Sequence, residues 1–240
     1  MAAKQMLDAG NVNEAERALK AWLREHPSDS AQRTFLFELL CFSGAYDRAR
    51  RHLAILAEDG PDQKLGAMLY FSALHAEEIR HNLFRTYEAD APASPPPPGL
   101  LNGKRFQSIT DADPRIGARL EVFAAGSFLR IPFIHLATLK IEQPRRLRDT
   151  LWAPGAVATV AHSQTSGLRD VLVPAVYPYS WRAEDQQLWL GRKTAQIVNS
   201  EGLEQTLGQR LLLVDGEEVP LLEIRSLEFD TVPEPPHAVA

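Results

Sequence analysis

Cysteine is nearly absent from this chain, which has one, Cys41, among its 240 residues. A single cysteine excludes an internal disulfide and a thiol-rich metal site. Because Cys41 lies within the apolar run Leu39-Leu40-Cys41-Phe42, we expect it to pack as a small buried core residue.

Long hydrophobic runs are also missing. No stretch of about eighteen or more apolar residues occurs, so no segment is expected to span a membrane. The first ten residues carry Lys4 and Asp8 and show neither the apolar region nor the cleavage site of a secretory signal. The sequence therefore predicts a cytoplasmic protein with no membrane partner.

Positive charge is not concentrated in any segment. The net charge is −5 and no basic patch dominates, so the electrostatic footprint of a nucleic-acid-binding protein is missing. Glycine-rich phosphate loops are absent as well, since Gly103, Gly117 and Gly126 stand alone, as is typical of turns. The sequence predicts no nucleic-acid partner, and it indicates no cofactor and no metal.

A repeat of 34 residues is present in the first third of the chain. Gly10 recurs as Gly44, and the same interval relates three further pairs: Ala15 and Ala49, Leu19 and Leu53, Pro27 and Pro61. This period is typical of paired helices of the tetratricopeptide type, which must stack to bury their apolar faces. Stacked pairs form grooves that bind peptides or helices, so we expect a binding protein rather than an enzyme.

Five helices are predicted in this part of the chain. They comprise a short helix ending at Gly10, two helices over 13–25 and 30–42, one over 46–58, and a longer one over 62–88 that has no second arm. We expect Ser30 to cap the third helix. Apolar spacing places Trp22 on the inner stripe of the second helix, and Leu69 and Ile79 on the apolar stripe of the fifth. The exposed side of residues 66–88 could itself form an interface, with a second copy or with a partner.

Proline marks the predicted domain boundary. Residues 89–100 contain Pro92 and four consecutive prolines, which exclude helix and favour a stiff spacer. Short alternating segments then indicate a mostly antiparallel β or α+β domain over 101–230, with hairpins at Gly126 and Gly216, a strand over 188–190 and a short helix near 113–120. We predict an α+β fold, with a tetratricopeptide-like domain over 1–88 and a disordered tail over 231–240.

Two histidines invite a metal interpretation. His75 and His81 are six residues apart and would face roughly opposite sides of a helix, whereas metalloprotease helices place histidines four apart on one face. The spacing favours a solvated helix face, and we predict no metal site there.

A charged cluster precedes the first predicted strands, with Asp111, Asp113 and Arg115 close to Gly117. Asp113 is followed by proline, which is typical of a helix N-cap. A polar contact with a partner, or a small enzyme that uses the three charged residues, are the open alternatives. No nucleophile or glycine-rich elbow accompanies the cluster at a recognisable spacing, so catalysis is weakly supported.

Three blocks of this sequence resemble one protein family. The run Phe35-Leu36-Phe37-Glu38-Leu39-Leu40-Cys41, leading to Gly44, resembles the opening of the ImpE family, also called TagJ or SciE. The stretch 101–133, with Asp111-Ala112-Asp113, is similar to the central signature of that family, and Leu147-Arg148-Asp149 followed by Leu151-Trp152 is similar to a third block. Three blocks in the same order are more specific than any single one.

Members of the ImpE family are accessory proteins of the bacterial type VI secretion system, a contractile injection machine. The resemblance implies a cytoplasmic, non-enzymatic adaptor that binds the N-terminal helix of the small sheath subunit and that can connect sheath disassembly with an AAA+ unfoldase. Family members carry a further helical stretch before the central signature, where this chain has its proline-rich spacer. A different binding mode is therefore an open alternative.

The family blocks and the aromatic side chains together predict an interaction surface. We expect Phe35, Phe37 and Trp152 at its centre and Arg148 and Asp149 as its polar rim, because aromatic anchors contribute most of the energy at such interfaces. A homodimer and a general scaffold for another assembly are the remaining alternatives.

Overall fold

A computed structural model describes residues 2–85, 94–160, 168–198, 202 and 204–230. Its N-terminal part consists of five α-helices: α1 (Ala2–Asp8), α2 (Val12–Glu25), α3 (Ser30–Phe42), α4 (Tyr46–Leu56) and α5 (Pro61–Arg85). A 3-10 turn (Ala57–Asp59) joins α4 to α5. Helix α1 packs on α2, α3 packs on α4, and α2 packs on α3, which links the two pairs. The predicted tetratricopeptide-like repeat is confirmed.

The repeated residues occupy equivalent places in the two helix pairs. Gly10 and Gly44 adopt left-handed backbone angles, with φ of 89° and 68°, at the turn inside each pair. Such angles favour glycine because it has no Cβ. The repeated alanine and leucine positions are buried in the stacked faces. The interval of 34 residues thus arises because both helix pairs have the same glycine turn and the same buried alanine and leucine positions.

Helices α2 and α3 differ from the sequence prediction in two details. Trp22 does not lie on the inner stripe: it is 46% exposed, stacks on His26 with ring centroids 3.9 Å apart, and donates a hydrogen bond to Asp29. Ser30 does not cap α3, because Asp29 is the N-cap and accepts a hydrogen bond from the Gln32 backbone at 3.0 Å. An aspartate one residue earlier satisfies the same orphan N–H group.

Antiparallel strands form most of the remaining chain: β1 (Gly99–Leu101), β2 (Lys104–Phe106), β3 (Ile109–Asp111), β4 (Arg119–Ala124), β5 (Ser127–Pro132), β6 (Leu136–Ile141), β7 (Trp152–Thr159), β8 (Leu168–Pro174), β9 (Thr194–Val198), β10 (Glu204–Gly208), β11 (Leu211–Val214), β12 (Glu217–Pro220) and β13 (Ser226–Phe229). The main sheet has the order β2-β1-β13-β6-β7-β8-β4-β5, a second has the order β12-β11-β3, and β9 pairs with β10. The predicted α+β class is confirmed.

Both predicted hairpins are present, since β4 pairs with β5 and β11 with β12. The predicted strand over 188–190 was wrong, because a short helix α6 (Gln186–Trp189) begins where Asp185 accepts a hydrogen bond from the Gln187 backbone. The predicted helix near 113–120 was also wrong. Asp113 accepts two backbone hydrogen bonds in a single turn, Gly117 turns the chain with φ of 62°, and β4 then begins.

One hydrophobic core joins the helices to the sheet. It combines most of the apolar faces of α1 to α5 with side chains from the β-rich part, namely Phe123, Leu151, Trp152, Leu172, Val176 and Leu190. A second core lies inside the β-rich part. The division into one domain over 1–88 and another over 101–230 therefore stays a prediction. If it holds, the two domains share one hydrophobic core. Part of the predicted spacer and the tail over 231–240 lie outside the described residues.

Candidate partner-binding surfaces

The aromatic residues predicted to contact a partner lie at the junction of helices and sheet. Phe37 on α3 and Trp152 at the start of β7 are each 1% exposed. Tyr70 on α5 lies between them, with ring centroids 5.9 Å from Phe37 and 6.2 Å from Trp152. The Trp152 indole donates a 2.8 Å hydrogen bond to Glu77 on α5. These rings therefore hold the helices against the sheet.

The two polar residues of the predicted surface serve the same junction. Arg148 donates hydrogen bonds to Glu38 at 2.6 Å and to the Tyr70 hydroxyl at 2.7 Å. Asp149 accepts the backbone N–H groups of Arg145 and Arg146, both at 2.9 Å. Burial raises the pKa of Glu38, and the Arg148 guanidinium opposes that rise. Arg148 thus neutralises a carboxylate that the junction removes from water.

A partner could reach Phe37, Trp152, Arg148 and Asp149 only if the helices separated from the sheet, because all four side chains are buried. Phe35 differs, since its side chain is partly exposed beside the shared core. Its contact with a partner stays a prediction. These four residues from the sequence blocks lie at a contact between the helices and the sheet of the same chain, and not at its surface.

The cluster around Asp111 is a buried anchor. Asp111 pairs with Arg210 at 2.7 Å and accepts a 2.9 Å hydrogen bond from the Tyr177 hydroxyl. Asp113 binds the Arg115 guanidinium through both carboxylate oxygens. Burial raises the pKa of Asp111, and Arg210 opposes that rise. Both carboxylates are at most 2% exposed, so their partners come from within the fold.

A chain of alternating charges crosses from α5 into the sheets. Arg80 donates to Glu77 and to Glu121, each at 3.0 Å, and Arg210 lies 3.5 Å from Glu121 and 2.7 Å from Asp111. All five side chains are at most 3% exposed. Burial alone would raise the pKa of Glu77, but Arg80 and His81 outweigh it and lower the pKa to about 2. Each internal charge therefore has an opposite neighbour, as buried ions require.

The prediction of a solvated face over 75–81 was wrong for part of that segment. His75 is exposed, but His81 is buried, its Nε2 lies 3.2 Å from Glu77, and its ring stacks on Tyr179. Among the described residues, no group of three or more metal-ligating side chains could hold a metal ion. Sequence reasoning missed Glu77, Arg80 and His81 as core residues because each also contacts a residue far away in the chain, namely Trp152, Glu121 and Tyr179.

The β-rich part covers the side of the helical repeat where its first helices lie. Arg192 donates hydrogen bonds to backbone oxygens of α1, Arg148 binds α3, and Tyr179 donates to the His81 oxygen on α5. The first helices of stacked pairs line the concave surface that repeat proteins commonly use for binding. In this fold the β-rich part makes contacts with these first helices.

Helix α5 presents apolar side chains to solvent in its first half. Leu65 is 71% exposed, Met68 is 59% exposed and Leu69 is 46% exposed. A Cβ built on Gly66 would meet no atom within 4 Å, so these turns are open. Ile79 is also 41% exposed. The apolar stripe predicted through Leu69 and Ile79 is therefore not buried at these two residues, because the buried face of α5 runs through Ala73 and Glu77.

Comparison with known proteins identifies the family. The family model described as ImpE protein matches residues 103–228, more than half of the chain, and a tetratricopeptide repeat model matches residues 6–70. The type VI secretion system accessory component TagJ of Pseudomonas aeruginosa strain PAO1 is 30% identical, across 96% of this chain and 92% of that protein. The chain belongs to the ImpE family.

The fold of this ImpE-family chain also occurs in a solved structure. The crystal structure of protein VPA1032 from Vibrio parahaemolyticus superimposes with a TM-score of 0.83 at 21% identity, covering 97% of this chain and 98% of that one. The helical repeat packed on a β-rich part is therefore a fold already observed by crystallography.

The two family matches leave the second half of α5 uncovered. The ImpE match begins in the turn between β1 and β2 and ends in β13, so it contains Asp111, Arg148 and Arg210. The repeat match ends at Tyr70, in the middle of α5. Glu77 and Arg80, which connect the two parts, lie outside both matches. The two modules in this ImpE-family chain are thus joined in part through residues that neither model includes.

Proposed function

We propose that this chain is a non-enzymatic accessory adaptor of a bacterial type VI secretion system, acting in the cytoplasm. It binds the N-terminal helix of the small sheath subunit and assists sheath assembly or recycling. Membership of the ImpE family and the name of the Pseudomonas relative support the secretion-system role. A contact with the AAA+ unfoldase of the system is part of the same proposal.

The observation that carries the helix-binding part is the exposed apolar face of α5. Helix α5 follows two complete helix pairs and occupies the place of a first arm in a third pair. Repeat units bury their apolar faces only by stacking on a neighbour. An amphipathic helix from the sheath subunit would take the place of the missing second arm and cover Leu65, Met68 and Leu69.

The contacts of the β-rich part with the first helices support this choice of site. Because Trp152, Arg148 and the segment around Tyr179 already occupy the first-helix side of the repeat, a ligand helix needs another face. A helix laid in a groove uses apolar anchors at three- and four-residue spacing. The three exposed residues of α5 have this spacing, so they can contact two successive turns of a bound helix.

Co-purification with the sheath small subunit from the same organism tests the proposal. The intact subunit should bind, and a subunit lacking its first helix should not. Met68→Glu should weaken binding at least tenfold, since burying a side chain of this size contributes about 1.5–3 kcal/mol. Val198→Glu is the matched control, because Val198 is 66% exposed on β9, outside the helical repeat. Equal retention of the two subunit forms would contradict the proposed mode.

A general scaffold for another assembly is the second candidate, and a homodimer through the same face of α5 is the third. Sedimentation of the isolated chain separates them from the adaptor. A dimer that Met68→Glu converts to a monomer would favour self-association. A monomer that retains no sheath subunit would favour a different assembly.

A further inference from the structure

A cleft of about 400 Å³ opens beside the last turns of α5. Its walls come from the turn between α3 and α4, from α5, and from a 3-10 turn (Ser180–Arg182) with the residue before it. Four of the lining side chains are rings: Tyr46, His81, Tyr179 and Trp181. The α5 residue of the cleft nearest to Leu69 is Glu78, nine residues and roughly 14 Å further along the helix, so the cleft is separate from Leu65, Met68 and Leu69.

The ring wall of the cleft is held in one arrangement. Tyr179 adopts a left-handed backbone angle, with φ of 65°, and its hydroxyl donates a hydrogen bond to the His81 backbone oxygen. A Cβ built on Gly44 would lie 2.6 Å from the Trp181 ring, so the ring can seat there only because residue 44 is glycine. An uncommon backbone angle in a tyrosine is a local strain that the surroundings must support.

Two cations border the rings without a carboxylate partner among the described residues. The Arg182 guanidinium lies 4.2 Å from the Tyr179 ring centre and 5.1 Å from that of Trp181. Arg85 contacts only the Asn82 side-chain oxygen, at 3.4 Å. Glu78, the carboxylate that lines the cleft, is already paired with Arg50 at 2.6 Å. The described side chains that line the cleft therefore carry a net positive charge.

The environment of Tyr179 gives a second indication of positive potential. Burial raises the pKa of its hydroxyl, and the guanidinium groups of Arg182, Arg85 and Arg115 act in the opposite direction. Arg115 is already paired with Asp113, so Arg182 and Arg85 are the arginines that give the cleft its positive charge. Arginine stacked on an aromatic ring is preorganised to bind a carboxylate.

We propose that this cleft binds an acidic, extended peptide segment of a partner protein. Carboxylates of the segment pair with Arg85 and Arg182, and its apolar or proline side chains pack on the partly exposed Trp181 ring. Charge complementarity selects the acidic partner, and a partly exposed tryptophan ring suits an extended, proline-containing chain. This second surface does not depend on the helix-binding site proposed for α5.

Fluorescence anisotropy with a labelled peptide of about six Glu-Pro repeats, an extended chain of roughly 37 Å, tests the proposal on the full-length chain. The peptide should bind, and added salt should weaken binding because the contacts are partly exposed. A matched Lys-Pro peptide should not bind. Arg182→Glu and Arg85→Glu should each weaken binding of the acidic peptide at least tenfold.

Arg51→Glu is the control, because Arg51 is an exposed arginine of α4 that does not line the cleft. It should bind the acidic peptide like the wild type, and thermal melting should show all three variants folded. Absence of Glu-Pro binding, equal binding of the two peptides, or equal weakening by Arg51→Glu would overturn the proposal. Binding of the sheath helix should survive Arg182→Glu, so failure of one surface can be told from failure of the other.

Discussion

At the scale of single residues, the most informative feature is how buried charges are paired. Arg148 and Glu38 connect a 3-10 turn to α3, and their side chains are 10% and 9% exposed. Arg105 and Asp230 form an ion pair of the same length, 2.6 Å, whose side chains are 52% and 45% exposed. The two pairs allow burial to be tested separately from distance.

Removing the buried guanidinium should be costly. Arg148→Leu leaves the Glu38 carboxylate buried without its cation, which should lower the free energy of unfolding by about 3–5 kcal/mol. Arg105→Leu should lower it by no more than about 1 kcal/mol. Urea denaturation measures both values. Similar small effects of the two substitutions would show that Arg148 does not secure the junction.

Acid should weaken the same junction through Glu77. The pKa of Glu77 in the folded chain is lowered from 4.5 to about 2, so its ionised form stabilises the fold above pH 4.5. That contribution, about 3 kcal/mol for such a shift, is lost as pH falls toward 2. In Glu77→Gln, unfolding free energy should be lower at pH 7 and should decline less between pH 4.5 and 2. Parallel pH curves for Glu77→Gln and wild type would contradict this, and Glu217→Gln, on an exposed residue of β12, is the control.

At the scale of elements, the turn between α3 and α4 reverses the chain and also packs against the Trp181 ring. Gly44 both adopts a left-handed angle and provides the flat seat for Trp181. Gly103, in the turn between β1 and β2, has a similar φ of 80°, but a Cβ built there would meet nothing within 4 Å. Both glycines therefore adopt a left-handed backbone angle, but only at Gly44 would a side chain also clash with a neighbouring residue.

Alanine at these two positions separates the effects. Gly103→Ala should cost about 1–2 kcal/mol, the price of a left-handed angle for an L-residue. Gly44→Ala should cost about 1–3 kcal/mol more, because Trp181 must shift. Thermal melting gives the difference, and the acidic-peptide assay should detect displacement of Trp181 in Gly44→Ala alone. Equal melting temperatures for the two variants would show that the seat of Trp181 does not matter.

The elements also show what sequence patterns can and cannot predict. The repeat interval located α1 to α4 because recurring turns and buried alanines are local features. The same apolar spacing placed Trp22 on an inner stripe and grouped Leu69 and Ile79 on one stripe of α5, although all three are exposed. Periodicity identifies an apolar face but not the neighbour that covers it. The turn after Asp113 was predicted as a helix because a single turn and a helix start share the same aspartate and proline signal.

At the scale of the whole molecule, the helical repeat and the β-rich part depend on each other. Phe37 from α3 and Trp152 from β7 belong to one core, and Arg80 from α5 is paired with Glu121 on β4. Sequence could not predict this union, because the contacts connect residues far apart in the chain. The proline-rich spacer predicted two domains. The structure shows a hydrophobic core that the segments before and after the spacer share.

Cutting the chain at the spacer should therefore impair the helices. A fragment of residues 1–88 would expose the shared core and leave Glu38 and Glu77 without Arg148 and Trp152. We expect less helical circular dichroism per helical residue in the fragment than in the full chain, and a single cooperative unfolding transition for the full chain. A fragment with native helicity and its own cooperative melt would show that the repeat is an independent domain.

The proposed function depends on whether α5 binds a helix of the sheath small subunit. Isothermal titration of the full-length chain with a peptide of the first ~20 residues of the sheath small subunit, about five helical turns, tests this most directly. We predict micromolar or tighter binding, a negative heat-capacity change from buried apolar surface, loss of binding in Met68→Glu, and unchanged binding in Val198→Glu. No heat of binding with wild-type protein, or equal affinity in both variants, would contradict the central claim.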